Sequence, residues 1–209
     1  MMSRTFFVRS ALAGAVALTL IAGGVVAQAV NTQNPAEVQA GTYKLDPDHG
    51  KITWSVNHLG FSTYTGQFVN VAAELTLDSA NPSASRLTAT IPLTDVDPNN
   101  DALKAHLQTA DFFDAANHPT ATFVSRSVTV DSDDANEATV VGDLTLRGVT
   151  KPVTIEVEFN QAGATRGAYK AGFDGEATIK RSEFGITFGD QMGLGDDVKL
   201  HIEGEFIRQ

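Results

Sequence analysis

Cysteine is absent from this 209-residue chain. Disulfides, thiolate catalysis, iron–sulfur clusters and a lipid-modified N-terminal cysteine are therefore excluded. Basic residues are scarce, with 15 Lys and Arg against 25 Asp and Glu and a formal net charge of −10. Such a surface is a poor partner for nucleic acid and for anionic lipid headgroups. Polar aromatics are rare as well: one Trp and three Tyr stand against 12 Phe. Two common enzyme signatures are missing, the Gly-x-Ser-x-Gly elbow and the phosphate-binding glycine loop. What is present, 42% hydrophobic and 19% charged residues, suits a folded domain with a sizeable core.

The N-terminus reads as an address. Arg4 and Arg9 precede an apolar run from Ala11 to Ala22, and Ala27-Gln28-Ala29 fits a small-x-small cleavage site. Residues 1–29 are expected to be a signal peptide cut after Ala29, which places the mature protein in the periplasm or outside the cell. The alternative is an uncleaved anchor, for which the run is short of the roughly 20 residues that span a bilayer. Residues 30–41 are polar and small, and are expected to form a flexible leader. The remainder, 42–209, reads as one domain.

Period-two alternation dominates that domain. Ile52, Trp54, Val56 and His58 share one face, as do Leu87, Ala89, Ile91 and Leu93, and Val153, Ile155, Val157 and Phe159. Similar stripes run through Val69 to Leu77, Thr120 to Val130, Val140 to Leu144, Tyr169 to Ile179, and Val198 to Phe206. Turns are expected at Asn81-Pro82, Asp133-Asp134, Arg147-Gly148 and Ala162-Gly163. Between the third and fourth strands, Leu103, His106, Leu107 and Ala110 follow helical spacing, with Asn99 or Asn100 as the cap. The fold class is all-β, with about eight antiparallel strands and one short helix. Periodicity alone leaves a barrel and a sandwich open. A ten-residue strand spans roughly 33 Å, or about 25 Å along the axis of a barrel with strands tilted near 40°. That is enough for an extended lipid tail.

Four stretches in order carry a resemblance. They are Val56-Asn57-His58-Leu59-Gly60-Phe61 with Tyr64-Thr65-Gly66-Gln67-Phe68; His106-Leu107 through Ala110-Asp111-Phe112-Phe113-Asp114 to His118-Pro119 and Phe123; Gly142 to Pro152; and Ile179-Lys180-Arg181-Ser182-Glu183-Phe184-Gly185. Together the chain resembles the YceI-like family, lipocalin-like polyisoprenoid-binding proteins of bacterial periplasms. The resemblance implies an eight-stranded antiparallel lipocalin-like barrel. Inside it would hold an isoprenoid or fatty amphiphile, without catalysis and without any cofactor beyond that lipid. It leaves room for transient membrane contact and for a homodimer.

Candidate ligand residues follow from strand phase and from these stretches. His58 and Arg181 fall on apolar faces, where a basic group is costly unless paired. They are expected either to meet a polar ligand head or to form structural pairs. His106 lies on the apolar side of the helix, and Phe112 and Phe113 are placed to close one barrel end. Trp54, Phe61, Phe68, Phe123, Ala171, Phe173 and Phe184 complete the expected lining. The five histidines show no zinc-type spacing. The run Asp95 to Asp101 lacks the glycine and the terminal glutamate of a calcium loop. Glu156, Glu158, Glu203 and Glu205 fall on polar faces and read as solubilising. Two other functions stay open at this point: an interaction protein with a filled core, and a hydrolase or isomerase using the His58 or His106 region.

Overall fold

The computed structural model describes residues 31–209. The signal peptide expected at residues 1–29, with its cleavage site, lies outside the described residues. In chain order the elements are β1 (Gly41–His58), β2 (Ser62–Phe68), β3 (Ala72–Leu77), β4 (Arg86–Pro92), β5 (Val96–Asp97), α1 (Asp101–Leu107), β6 (Thr120–Val130), β7 (Glu137–Leu146), β8 (Val149–Thr165), β9 (Ala168–Lys180) and β10 (Asp197–Arg208). All pairings are antiparallel.

The alternating stripes close into a barrel rather than stacking as a sandwich. The ring runs β1–β3–β4–β6–β7–β8–β9–β10 and returns to β1. Closure leaves no exposed sheet edge in that ring. Strand β1 makes it possible by changing partners along its length. Its first residues, Gly41–Lys44, pair with β3, whereas Ile52–His58 pair with β2. Between them the register against β10 slips, with Leu45 opposite Phe206 and Gly50 opposite Gly204. The four residues Asp46–His49 bulge outward there. Strands β2 and β5 extend the sheet beside the upper half of β1.

Local chemistry explains the joints. Asn100 caps α1, its Oδ1 accepting the Leu103 N–H at 2.9 Å. Arg147 and Gly148 both sit at positive φ, 52° and 73°, in the tight β7–β8 hairpin. Gly66 and Gly142 are sites of close approach. A Cβ on Gly66 would lie 2.3 Å from the Trp54 ring, and one on Gly142 would lie 2.4 Å from Phe123.

Three expectations need correction. The Ala162-Gly163 turn is not a turn: both residues lie within the 17-residue β8, and the chain reverses at Arg166-Gly167. Asn160 is the extra residue of a bulge between Phe159 and Gln161 opposite β9, and this breaks the alternation that a simple strand would show. The segment Ser62–Phe68 is a strand of its own, hidden in sequence by Thr, Ser, Gly and Gln. The leader is packed rather than loose. Thr32 exchanges two backbone hydrogen bonds with Ala162, of 2.7 and 2.8 Å. After a short 3-10 turn at Pro35–Glu37, Val38 is buried against Tyr43, Phe159, Ala162, Ala171 and Phe206.

Candidate functional site

The inward side chains do not fill the barrel. Two apolar cavities lie along its interior, of about 360 and about 140 Å³. The wide chamber is walled by Leu75, Leu87, Phe123, Val140, Ile155, Val157, Phe159 and Phe173. Its rim comprises Pro35 and Ala36 of the leader, Ser79, Pro82 and Ser85 of the β3–β4 connection, and Val130 and Ala135 at the β6–β7 connection. The small chamber is walled by Trp54, Val56, Phe68, Leu107, Phe112, Phe113, Ile179, Ile186 and Leu194. Ile52, Ile91, Leu144 and Leu200 line both. These four aliphatic side chains, from β1, β4, β7 and β10, form a neck between two parts of one lumen.

Several expected ligand residues stand where phase placed them. Trp54, Phe68, Phe112 and Phe113 line the small chamber, and Phe123 and Phe173 line the wide one. Trp54 stacks on Tyr64 with ring centroids 6.1 Å apart, and its buried indole N–H has no hydrogen-bond partner among the described residues.

Others are elsewhere. Phe61 is 89% exposed, at the tip of the β1–β2 hairpin. His58 is exposed at the end of β1, its ring 6.2 Å from Tyr64, because the strand runs past the barrel before turning. His106 lies behind the lining. It is 2.9 Å from Asp111 and meets Phe112 and Phe188 edge-on. Phe184 is fully buried in the core next to the small chamber without lining it. Ala171 is fully buried too, but under Val38 and Phe159 rather than facing the void. The packed leader takes the space that strand phase had assigned to the lumen.

Arg181 departs most from a head-group role. It is 5% exposed and touches the small chamber, yet its five N–H groups are all used. Nε donates to the Gly195 carbonyl at 2.7 Å. Nη1 donates to Ile186 and Phe188 carbonyls at 2.9 and 2.8 Å. Nη2 donates to the Leu194 carbonyl at 3.1 Å and to the Asp190 carboxylate. The buried cation is satisfied by the loop 185–195, which it folds over the barrel end. Arg147 reinforces the cover, donating to the Gly185 carbonyl and to the Ala110 carbonyl.

Outside the barrel, the β1 bulge gathers Asp46, His49 and Glu205. The Lys170 ammonium lies between the carboxylates, 2.7 Å from Asp46 and 2.8 Å from Glu205. The Lys170 hydrogen bond holds the Asp46 carboxyl down at about 2, with help from His49, and raises Lys170 in return. The positive charge that a metal ion would bring to these carboxylates is already supplied by a side chain.

An antiparallel barrel with an apolar, unfilled lumen defines a class: lipocalin-like containers for small hydrophobic molecules. The YceI-like domain model matches residues 43–206, and the chain belongs to that family. Protein YceI of Escherichia coli is 39% identical over 173 residues, covering 81% of this chain and 88% of that protein. Among solved structures, Burkholderia cenocepacia BcnA superposes with a TM-score of 0.68 at 27% identity, covering 77% of this chain and 98% of that one. A polyisoprenoid binding domain from Saccharophagus degradans shares the fold, with a TM-score of 0.59 at 13% identity over 82% of this chain and all of that one.

Proposed function

We propose that this protein is an exported carrier that shields a long-chain isoprenoid or similar amphiphile, such as a quinone, prenyl phosphate or fatty acyl compound, inside its barrel. The observation that carries the reading is the lumen: an apolar void of about 360 Å³ continuing through a neck into about 140 Å³ more. An unfilled apolar interior forfeits packing energy that a purely structural barrel would recover. A guest that fills it gains about 0.8 kcal/mol per methylene removed from water, offset by the cost of ordering a flexible tail. Export rests on the reading of residues 1–29, and the polyisoprenoid-binding domain of like fold supports the ligand class.

A filled-core interaction protein is disfavoured by the same void. An esterase or isomerase centred on His58 or His106 is disfavoured by position, since neither ring lines the lumen. The test is direct, because Trp54 is the single tryptophan and lines the small chamber. Delipidated protein titrated with long-chain prenols and fatty acids should give a saturable change in Trp54 emission, one ligand per chain. Short-chain analogues should bind far more weakly. No saturable binding of any long-chain amphiphile rejects the carrier reading.

A further inference from the structure

Among the described residues, the two most exposed large apolar side chains are Phe61 and Met192, at 89% and 60%. They stand on two separate turns at one end of the barrel. Phe61 tops the β1–β2 hairpin, and Met192 ends a short 3-10 turn in the loop 185–195. The two turns are tied together by the Gly195 N–H, which donates to the Asn57 carbonyl at 2.8 Å. Neither exposure belongs to a loose segment. In the hairpin, Leu59 and Gly60 take positive φ of 58° and 79°. The Gly60 N–H donates to Asn57 Oδ1 at 2.8 Å, and the Phe61 N–H donates to the His58 carbonyl at 3.0 Å. In the loop, Arg181 fixes the carbonyls of Phe188, Leu194 and Gly195 on both sides of Met192. The fold thus holds both side chains out in water, where apolar area is unfavourable.

Charge sets this surface apart from the rest of an acidic protein. Between Lys51 and Glu74 there is no Asp, Glu, Lys or Arg, so the whole hairpin is free of such charges. Asn57, Ser62, Thr63 and Thr65 expose uncharged polar groups around Phe61. Within 185–195 the single charged residue is Asp190, and it is paired with Arg181. Charge returns only where the loop joins its strands. There Lys180 lies 2.7 Å from Asp197, with Asp196 and the exposed Glu183 on the same two segments. Apolar tips within an uncharged polar collar match the boundary between water and a bilayer. A protein partner would need pockets shaped to two protruding side chains and a far larger contact area. Lipid yields around a protrusion instead. The carboxylates at the loop base repel anionic headgroups and favour the ammonium groups of zwitterionic ones. We propose that the β1–β2 tip and the loop 185–195 form a docking surface for a zwitterionic phospholipid bilayer, with Phe61 and Met192 entering the headgroup layer. The proposal goes beyond the carrier reading and holds whatever the lumen contains.

Flotation with lipid vesicles tests it, using the chain from Val30 to Gln209. One set of vesicles is phosphatidylcholine alone, and a second contains about a third phosphatidylglycerol. The wild type should partition reversibly onto phosphatidylcholine at millimolar lipid. Added salt should change this little, and phosphatidylglycerol should not strengthen it. Phe61→Ser should lower the partition coefficient about tenfold, the loss of one largely buried aromatic side chain. Met192→Ser should lower it several-fold. Val124→Ser, at a half-exposed apolar position on the β6 wall, should leave it unchanged. All three positions are exposed, and thermal melting checks that each variant stays folded. No partition of the wild type onto phosphatidylcholine overturns the proposal. So does equal partition by Phe61→Ser and the wild type, or binding that appears only with phosphatidylglycerol. A lipid-free dimer in sedimentation that Phe61→Ser abolishes would give the surface to a second copy of the chain and overturn it as well.

Discussion

Closing the neck should convert the two-chamber lumen into one. Leu144 on β7 borders both cavities and is only half-buried, so a larger side chain can project into the void instead of into packed neighbours. Leu144→Trp is therefore expected to cost no more than the ~1–3 kcal/mol of ordinary overpacking. The small chamber, about 140 Å³, holds roughly five methylene-sized groups at about 30 Å³ each. At about 0.8 kcal/mol apiece, up to ~4 kcal/mol of tail burial would be lost. Ordering costs offset part of that, leaving about 2 kcal/mol, or about a thirty-fold loss in affinity for a long tail. Tails short enough to fit the wide chamber should be unaffected. Calorimetry with a homologous series of fatty acids reads this as a plateau: in the variant, affinity stops rising with length several carbons earlier than in the wild type. An unchanged length dependence in a folded variant would refute the neck.

Further outcomes follow from the same structure. Arg181→Ala removes the shared donor for four loop carbonyls and should cost ~3–5 kcal/mol. Hydrogen exchange should accelerate first in residues 185–195, and uniform exchange would contradict the fastening role. Ala171→Trp should unfold or grossly destabilise the barrel, because Ala171 is fully buried beneath Val38 and Phe159. A stable variant that merely loses ligand would mean that Ala171 faces the lumen after all. The Asp46 carboxyl, held down at about 2 by Lys170, contributes stability that is fully present above its ordinary value of 3.8 and fades as pH falls toward 2. Asp46→Asn should therefore flatten the acid limb of the stability profile between those values. An identical acid limb in the variant would remove Asp46 from that account.

Much of this architecture was legible in residue order. Alternation is local physics, so the stripes of β4, β7, β8 and β10 and the Leu103–Leu107 face of α1 were visible from spacing alone. The Asn100 cap and the Arg147-Gly148 hairpin were equally local. The family-like stretches resolved barrel against sandwich, which periodicity cannot do. What sequence concealed was long-range. Val38 sits in a polar segment, and only the folded barrel end shows it covering Ala171. Arg181 shares the inward phase of Ile179, but four of the five acceptors that consume it are loop carbonyls, which no residue type reveals, and the fifth is the Asp190 carboxylate. Phe61 and His58 were drawn inward by extending the strand phase past the point where β1 leaves the barrel. The neck residues were each present in the apolar stripes, yet their meeting depends on the relative stagger of four strands. Alternation along any one of them says nothing of it.

The central claim is that the lumen is a ligand compartment. Protein purified gently from the cells that produce it and weighed by native mass spectrometry tests it most directly. The account predicts an adduct at about one per chain, released on denaturation and identified after organic extraction as an amphiphile with a long apolar tail. A mass equal to the bare mature chain, together with no uptake of any long-chain prenyl or fatty amphiphile offered in excess, would contradict it.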